Sequence, residues 1–253
     1  METENNISEV EKKAKFNTAF ITASTIFIMG FVNGMALHTS QLSAMVTAQS
    51  GNVIWMGLNP VFGNWSAFIS NLFLFFSFIF GCGFAVMTLS KFEDKLKQFF
   101  FNWSLFALPV ALYPFYMQFI NSHVAFFMMG LSAGFGVGFF RVIYHLDQIN
   151  NAMATGSVRF IGVHFAGAFL KKNKSEVFTF WIFVIAALLF SLGAALFAIT
   201  SGLDYSMGII SEPIHRLFAR EDAALFSVTN IALIVICIIP CFFAKGTIIK
   251  EGE

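Results

Sequence analysis

The chain has 253 residues, of which 57% are hydrophobic, 11% are charged and 36 are Phe, with a mean hydropathy of +0.75. Soluble domains carry roughly 25% charged residues, so this composition belongs to the membrane class and excludes an ordinary soluble enzyme or binding domain. A formal net charge of +1, with the basic residues dispersed, excludes a nucleic-acid-binding face.

Residues 1–16, METENNISEVEKKAKF, are polar and mixed in charge, and are expected to form a cytoplasmic tail. The apolar run after them is too long for a signal-peptide core and has no A-x-A cleavage site, so it is expected to stay as the first span. Runs free of Asp, Glu, Lys and Arg lie at about 17–38, 66–90, 99–120, 121–140, 177–200 and 223–244. Each is close to the roughly 20 residues that a helix needs to cross the hydrocarbon core. The stretch LFLFFSFIFGCGFAVM is apolar on every face, whereas a barrel strand alternates over about 10 residues. The predicted fold is therefore all-α: a polytopic transmembrane bundle of about six spans. Three helices fall in residues 17–120, three in 121–245, and 246–253 form a cytoplasmic C-terminal tail.

Orientation follows from the excess of Lys and Arg in cytoplasmic loops. With six spans, thirteen basic residues lie on the side of the N-terminus and two, Arg216 and Arg220, on the other. Making 39–60 and 146–170 full spans gives eight crossings, cuts the split to eight against six and strands Arg159 in lipid. Six spans are preferred, with those two segments as half-helices, re-entrant pieces or interfacial elements, and both termini in the cytoplasm. The outer segment SGLDYSMGIISEPIHRLFARED interleaves Ile209, Ile210, Ile214, Leu217 and Phe218 with charges, as an interfacial amphipathic helix, a lid or a partner surface does.

The chain also repeats itself. GFVNG sets Gly30 and Gly34 at G-x-x-x-G spacing, and GFGVG sets Gly134 and Gly138 at the same spacing 104 residues on. SGNVIWMG recurs as TGSVRFIG after 105 residues, which aligns Ser50 with Thr155, Gly51 with Gly156 and Asn52 with Ser157. Three crossings per half, an odd number, insert the second half upside down. That is the inverted 3+3 plan of many secondary transporters, whose ligand sites lie between the halves and use interrupted helices.

The glycine pairs are first of all helix-packing devices, because small residues let backbones approach in lipid. GLSAGFGVG lacks the preceding strand of a nucleotide loop and is not one. The two polar knots, Ser50-Gly51-Asn52 and Thr155-Gly156-Ser157, read as points where a helix breaks and is re-capped. The positive dipole end of the half-helix that follows suits an anionic or strongly polar group. The bland alternative is a capped helix that binds nothing.

Arg141, His145 and Asp147, with Arg159 beyond the second knot, are ionisable groups close to the membrane. They suit inner-surface anchoring or, more sharply, proton or substrate coupling. His38 and His164 are lone histidines without a metal-ligand partner at suitable spacing, and no metal or cofactor is expected. Cys82, Cys237 and Cys241 lie in apolar runs and behave as small hydrophobes. No H-E-x-x-H, G-x-S-x-G or paired carboxylate lies within a span, which disfavours a membrane enzyme.

GFVNGMAL followed by SGNVIWMGL, with the echo GLSAGFGVGFFRV and ATGSVRFIGV, resembles the YoaK-like family of bacterial inner-membrane proteins of unknown function. The resemblance covers roughly residues 20–245 and implies membrane placement and a duplicated motif. That family typically shows G-[FY]-x-D-[AG] near the first helix and T-G-N after it. This chain departs at Asn33, where the family usually has an acid, at Ser50 for Thr, and at Ser157 for the second Asn.

Together these features lead to the expectation of a transporter or channel for a small polar or anionic solute. Asn33, Ser50, Gly51, Asn52, Thr155, Gly156 and Ser157 would line the site and Arg141 or Arg159 would supply charge. The alternative is a membrane scaffold or regulator that uses its glycine faces for association, including homo-oligomerisation; a membrane-embedded enzyme comes third. The lipid bilayer is the expected environment in every case.

Overall fold

The computed structural model describes residues 2–39, 46, 49–88, 94–113, 122–144, 161–170, 174–206 and 227–244. Among them, all regular structure is helical: α1 (Glu2–Thr39), α2 (Gln49–Val61), α3 (Trp65–Thr88), α4 (Lys95–Ala111), α5 (Ser122–Tyr144), α6 (Lys174–Ser206) and α7 (Val228–Ile238). A helical turn at 161–165 runs into a π-helical segment, Ala166–Leu170, and α7 runs into a 3-10 segment, Ile239–Phe243.

Every charge-free run expected from the sequence contains a helix. By length and apolarity, three described stretches suffice to cross a membrane: Lys12–Ala36, Trp65–Thr88 and Glu176–Gly202. His123–Phe139, Ile161–Leu170 and Val228–Phe243 are apolar but shorter. Local chemistry sets two of the helix ends. At α4 the Asp94 carboxylate accepts from Leu96 N at 2.9 Å and fixes the start of the helix. Beyond α7, Pro240 has no N–H to continue an α-helical ladder, and the backbone tightens to 3-10.

The polar N-terminus is helical and continuous with the apolar part of α1. Residues 2–29 contain no Gly or Pro, and Glu9 and Glu11 precede Lys13 and Lys15 by four residues, an order that supports helix.

The central helix is α1. Of its apolar stretch 72% is buried, against 39% in α3 and 22% in α6. Ile28, Met29, Phe31 and Met35 are sealed in the main core with Phe106, Phe126 and Phe139. Phe76, Phe80, Leu188, Leu192 and Ile199 point outward from α3 and α6. An apolar exterior of that extent suits a lipid environment.

Two helix pairs pack most closely, α1 with α6 and α3 with α5. A Cβ on Gly30 would lie 2.0 Å from the carbonyl oxygen of Phe190, and one on Gly134 would lie 2.1 Å from that of Phe78. Gly193 faces the Phe27 carbonyl at 2.0 Å, and Gly81 the Leu131 carbonyl at 2.1 Å. Gly34 meets Ala194 and Phe197; Gly138 meets Cys82 and Ala85. Adding 104 to each α1 residue and subtracting 112 from each α6 residue turns the first set of contacts into the second. Residue numbers rise together along both members (Gly30 with Phe190, Gly34 with Ala194), so each pair runs parallel. The glycines expected to pack helices do so at backbone-to-backbone range, the geometry that small residues make available.

Candidate functional site

The first polar knot sits on a helical hairpin. Three residues reverse the chain between α2 and α3. Asn64 N donates to Asn59 O at 2.8 Å and Gly63 N to Pro60 O at 3.1 Å, the paired bonds of a glycine-terminated helix. Gly63 has φ +73°, which a residue with a Cβ adopts at a cost. The Asn64 side chain then accepts from Ala67 N at 3.2 Å and starts α3.

α2 packs back along α3, and the two differ in length. Its 13 residues reach about 20 Å at 1.5 Å per residue, whereas the 24 residues of α3 reach about 36 Å. Folded back from a shared turn, α2 therefore begins near the level of Ser77, halfway along α3. Two amides at that beginning are buried. Asn52 is 0% exposed and donates through Nδ2 to Gln49 Oε1 at 3.1 Å, while Gln49, also buried, donates through Nε2 to Val46 O at 2.8 Å.

These bonds refine the reading of the knot. Ser50, Gly51 and Asn52 lie inside the first turn of α2, which starts at Gln49, rather than before it. Among the described residues the left-handed glycine is Gly63, at the other end of the helix. The amide chain Asn52 to Gln49 to Val46 ties the helix start to the incoming strand of chain, a role that Gln49 performs and that the Ser-Gly-Asn pattern did not reveal. Asn33 is buried on α1. Arg141 lies in the last turn of α5, with its side chain outside the described part. His145, Asp147, Thr155, Gly156, Ser157 and Arg159 lie outside the described residues, as does the 207–226 segment, and His38 is described only in its backbone.

Three polar arrangements carry chemistry that the sequence left unmarked. His164, on the turn leading into the π-helical segment, bonds through Nδ1 to Glu176 Oε2 and stacks on Phe183, rings 5.4 Å apart and 10° from parallel. Asp204, fully buried near the end of α6, accepts from Val228 N at 2.5 Å, Thr229 N at 3.0 Å and Thr229 Oγ1 at 2.5 Å, and so holds the start of α7. Thr88 Oγ1 donates to Asn102 Oδ1 at 2.9 Å and joins α3 to α4. A spacing of 12 across a lysine-rich stretch was the only signal for His164 with Glu176, and the lone acid in ITSGLDYS was the only one for Asp204. Among the described residues no group of three or more His, Cys, Asp or Glu could hold a metal ion. The three cysteines are free.

A family model described as "Protein of unknown function (DUF1275)" matches residues 21–211. The chain belongs to that family. No curated protein and no solved structure matches it. The DUF1275 region takes in both knots, both glycine-packed pairs and the His164–Glu176 pair, and ends before α7. With its apolar helices, this member of the DUF1275 family is a membrane protein.

Proposed function

We propose that this protein is a multi-pass inner-membrane transporter or channel, of the YoaK-like kind, for a small polar or anionic solute, built as an inverted 3+3 repeat. One observation carries the reading: α2 is about half as long as α3 and begins with two buried amides, Gln49 and Asn52, near the level of Ser77. The first four N–H groups of a helix have no partner within it, and the aligned peptide dipoles make that end positive. In lipid such an end is tolerated where it is buried in protein or lines a cavity, and transporters use it to hold anionic groups. The duplicated glycine contacts support two related halves, and the thirteen-to-two split of basic residues supports opposite orientations.

The solute would meet Asn33, Ser50, Gly51 and Asn52 from one half and Thr155, Gly156 and Ser157 from the other, with Arg141 or Arg159 balancing charge. The test is stopped-flow light scattering of proteoliposomes challenged in turn with formate, phosphate and glycerol. Flux of at least one probe above empty liposomes, lost in the folded Gly51→Leu and Gly156→Leu variants, is the expected result. Unchanged flux in both variants contradicts the site, and no flux of any probe contradicts transport.

A further inference from the structure

We propose that the closed end of the first hairpin binds a small uncharged solute that carries both a hydrogen-bond donor and an acceptor, the class of glycerol and urea. Its core is a pair of buried carboxamides. Asn59 on α2 is 5% exposed and Asn71 on α3 is 0% exposed, and among the described residues neither Asn59 Nδ2 nor Asn71 Oδ1 has a hydrogen-bond partner. An unpaired donor and an unpaired acceptor are costly in a low-dielectric interior, and a single molecule that satisfies both removes the cost.

The two amides converge. α2 runs back along α3 from their shared turn, so with Val61 level with Trp65, Asn59 is level with Ala67. Asn71 Nδ2 donates to Ala67 O at 2.9 Å, which draws the Asn71 amide back one turn to that level. Helical side chains lean toward the start of their own helix, and in an antiparallel pair this inclines Asn59 and Asn71 toward each other. The repeat supports the same facing. The 105-residue offset relates Asn59 to His164 and the 112-residue offset relates Asn71 to Phe183, and those two rings stack in the second half, 5.4 Å apart and 10° from parallel. Where the second half fills this place with an imidazole and a phenyl ring, the first has two short carboxamides.

The neighbours differ between the halves in the same sense. Ser70, 0% exposed, adjoins Asn71 on α3, and its Oγ bonds His123 Nδ1 on α5 at 2.7 Å. The 112-residue offset leads from Ser70 to Ile182, and the 104-residue offset leads from His123 back to Ala19. Polar groups therefore surround the carboxamides of the first half, while apolar ones surround the stacked rings of the second.

The donor count selects the solute. A carboxylate accepts from Asn59 Nδ2 but brings no proton for Asn71 Oδ1, and an ammonium donates to Asn71 Oδ1 but brings no lone pair for Asn59 Nδ2. A hydroxyl or a urea group serves both. Asn59 and Asn52 are seven residues apart, two turns along one face of α2, and Gln49 lies about 15 Å from Asn59 along the helix. On the transport reading above, on which this last step rests, the solute passes from Asn59 and Asn71 to Asn52 and Gln49.

The test is nitrogen NMR of the full chain in phospholipid nanodiscs, with the asparagine side-chain amides labelled and glycerol, urea and formate titrated in turn. Asn59→Leu assigns the Asn59 signal. The expected result is a saturable shift of that signal with glycerol or urea, with formate binding at least about tenfold more weakly. Affinity should fall by at least about tenfold in Asn71→Leu, which lacks the acceptor, and recover in part in Asn71→Gln, which keeps it. No saturable shift with glycerol or urea, equal affinity for formate, or unchanged affinity in Asn71→Leu overturns the proposal. The comparison with formate uses the wild type, so it stands even where a variant fails to fold. Binding is read without flux: a saturable shift in a protein that passes no probe sinks transport and leaves the site, whereas glycerol flux without a shift does the reverse.

Discussion

Replacing Gly30 by Ala adds one methyl group at the closest approach of α1 to α6. The new Cβ would lie 2.0 Å from the carbonyl oxygen of Phe190 and 2.8 Å from its carbonyl carbon, both backbone atoms that no rotamer change can move. Restoring an ordinary separation of roughly 3.5 Å requires the two helices to part by about 1.5 Å. Such a gap also withdraws dispersion contacts from the neighbours, Phe27, Phe31 and Phe197 among them, and overpacking of this kind costs about 3 kcal/mol. Gly34→Ala would meet Ala194 Cα at 3.2 Å, a few tenths short of normal contact, and should cost about 1 kcal/mol. Gly57→Ala and Gly162→Ala meet nothing within 4 Å and sit on helices, so they should be neutral or stabilising by up to about 1 kcal/mol. The assay is unfolding of the full chain in bicelles, by denaturant or steric trapping, with all four variants in parallel. A Gly30→Ala protein as stable as Gly57→Ala refutes the close-packing account of the glycine pairs.

Gly134→Ala should repeat the Gly30→Ala loss within about 1 kcal/mol, because its Cβ would meet the Phe78 carbonyl at 2.1 Å; the same unfolding assay measures it. Asp204→Ala removes the acceptor for two backbone N–H groups and one hydroxyl, and should cost about 3 kcal/mol, read as lost protection from hydrogen exchange at the start of α7. Trp103→Phe deletes the Nε1–H donor to Cys237 O at 3.0 Å and should cost about 1 kcal/mol in thermal unfolding, with α4 and α7 still packed. Asn52→Leu leaves Gln49 Oε1 without its donor and should cost about 2 kcal/mol while lowering probe flux more than Asn52→Gln does.

The helices were legible because apolar runs of membrane length leave the backbone few alternatives, and Gly30, Gly34, Gly134 and Gly138 declared their packing role by spacing alone. The partner of each glycine was not legible, since G-x-x-x-G does not say which helix approaches; only coordinates pair Gly30 with Phe190 and Gly134 with Phe78. The hairpin turn at Gly63 was hidden for a different reason. GNW is short, and the Asn59-Pro60 pair just before it, which reads as a break, falls inside α2. The knot announced a special helix start, yet the residue that ties it down is Gln49, whose long amide reaches backward to Val46, and a pattern built on Ser, Gly and Asn looks forward. His164 escaped because its partner is 12 residues away across Lys171, Lys172 and Lys174, a separation without helical or strand periodicity. Packing of the 161–170 helix against α6 brings them together, and sequence spacing does not announce that packing.

The central claim is that two related halves stand in the membrane in opposite senses, so that the starts of α3 and α6 face opposite surfaces. A cysteine-free full chain carrying Asn64→Cys, at the first hairpin turn, or Lys174→Cys, at the first residue of α6, tests it with a membrane-impermeant maleimide. In right-side-out vesicles Asn64→Cys should label and Lys174→Cys should not, and inverted vesicles should reverse the two. Labelling of both positions from the same side contradicts the inverted arrangement.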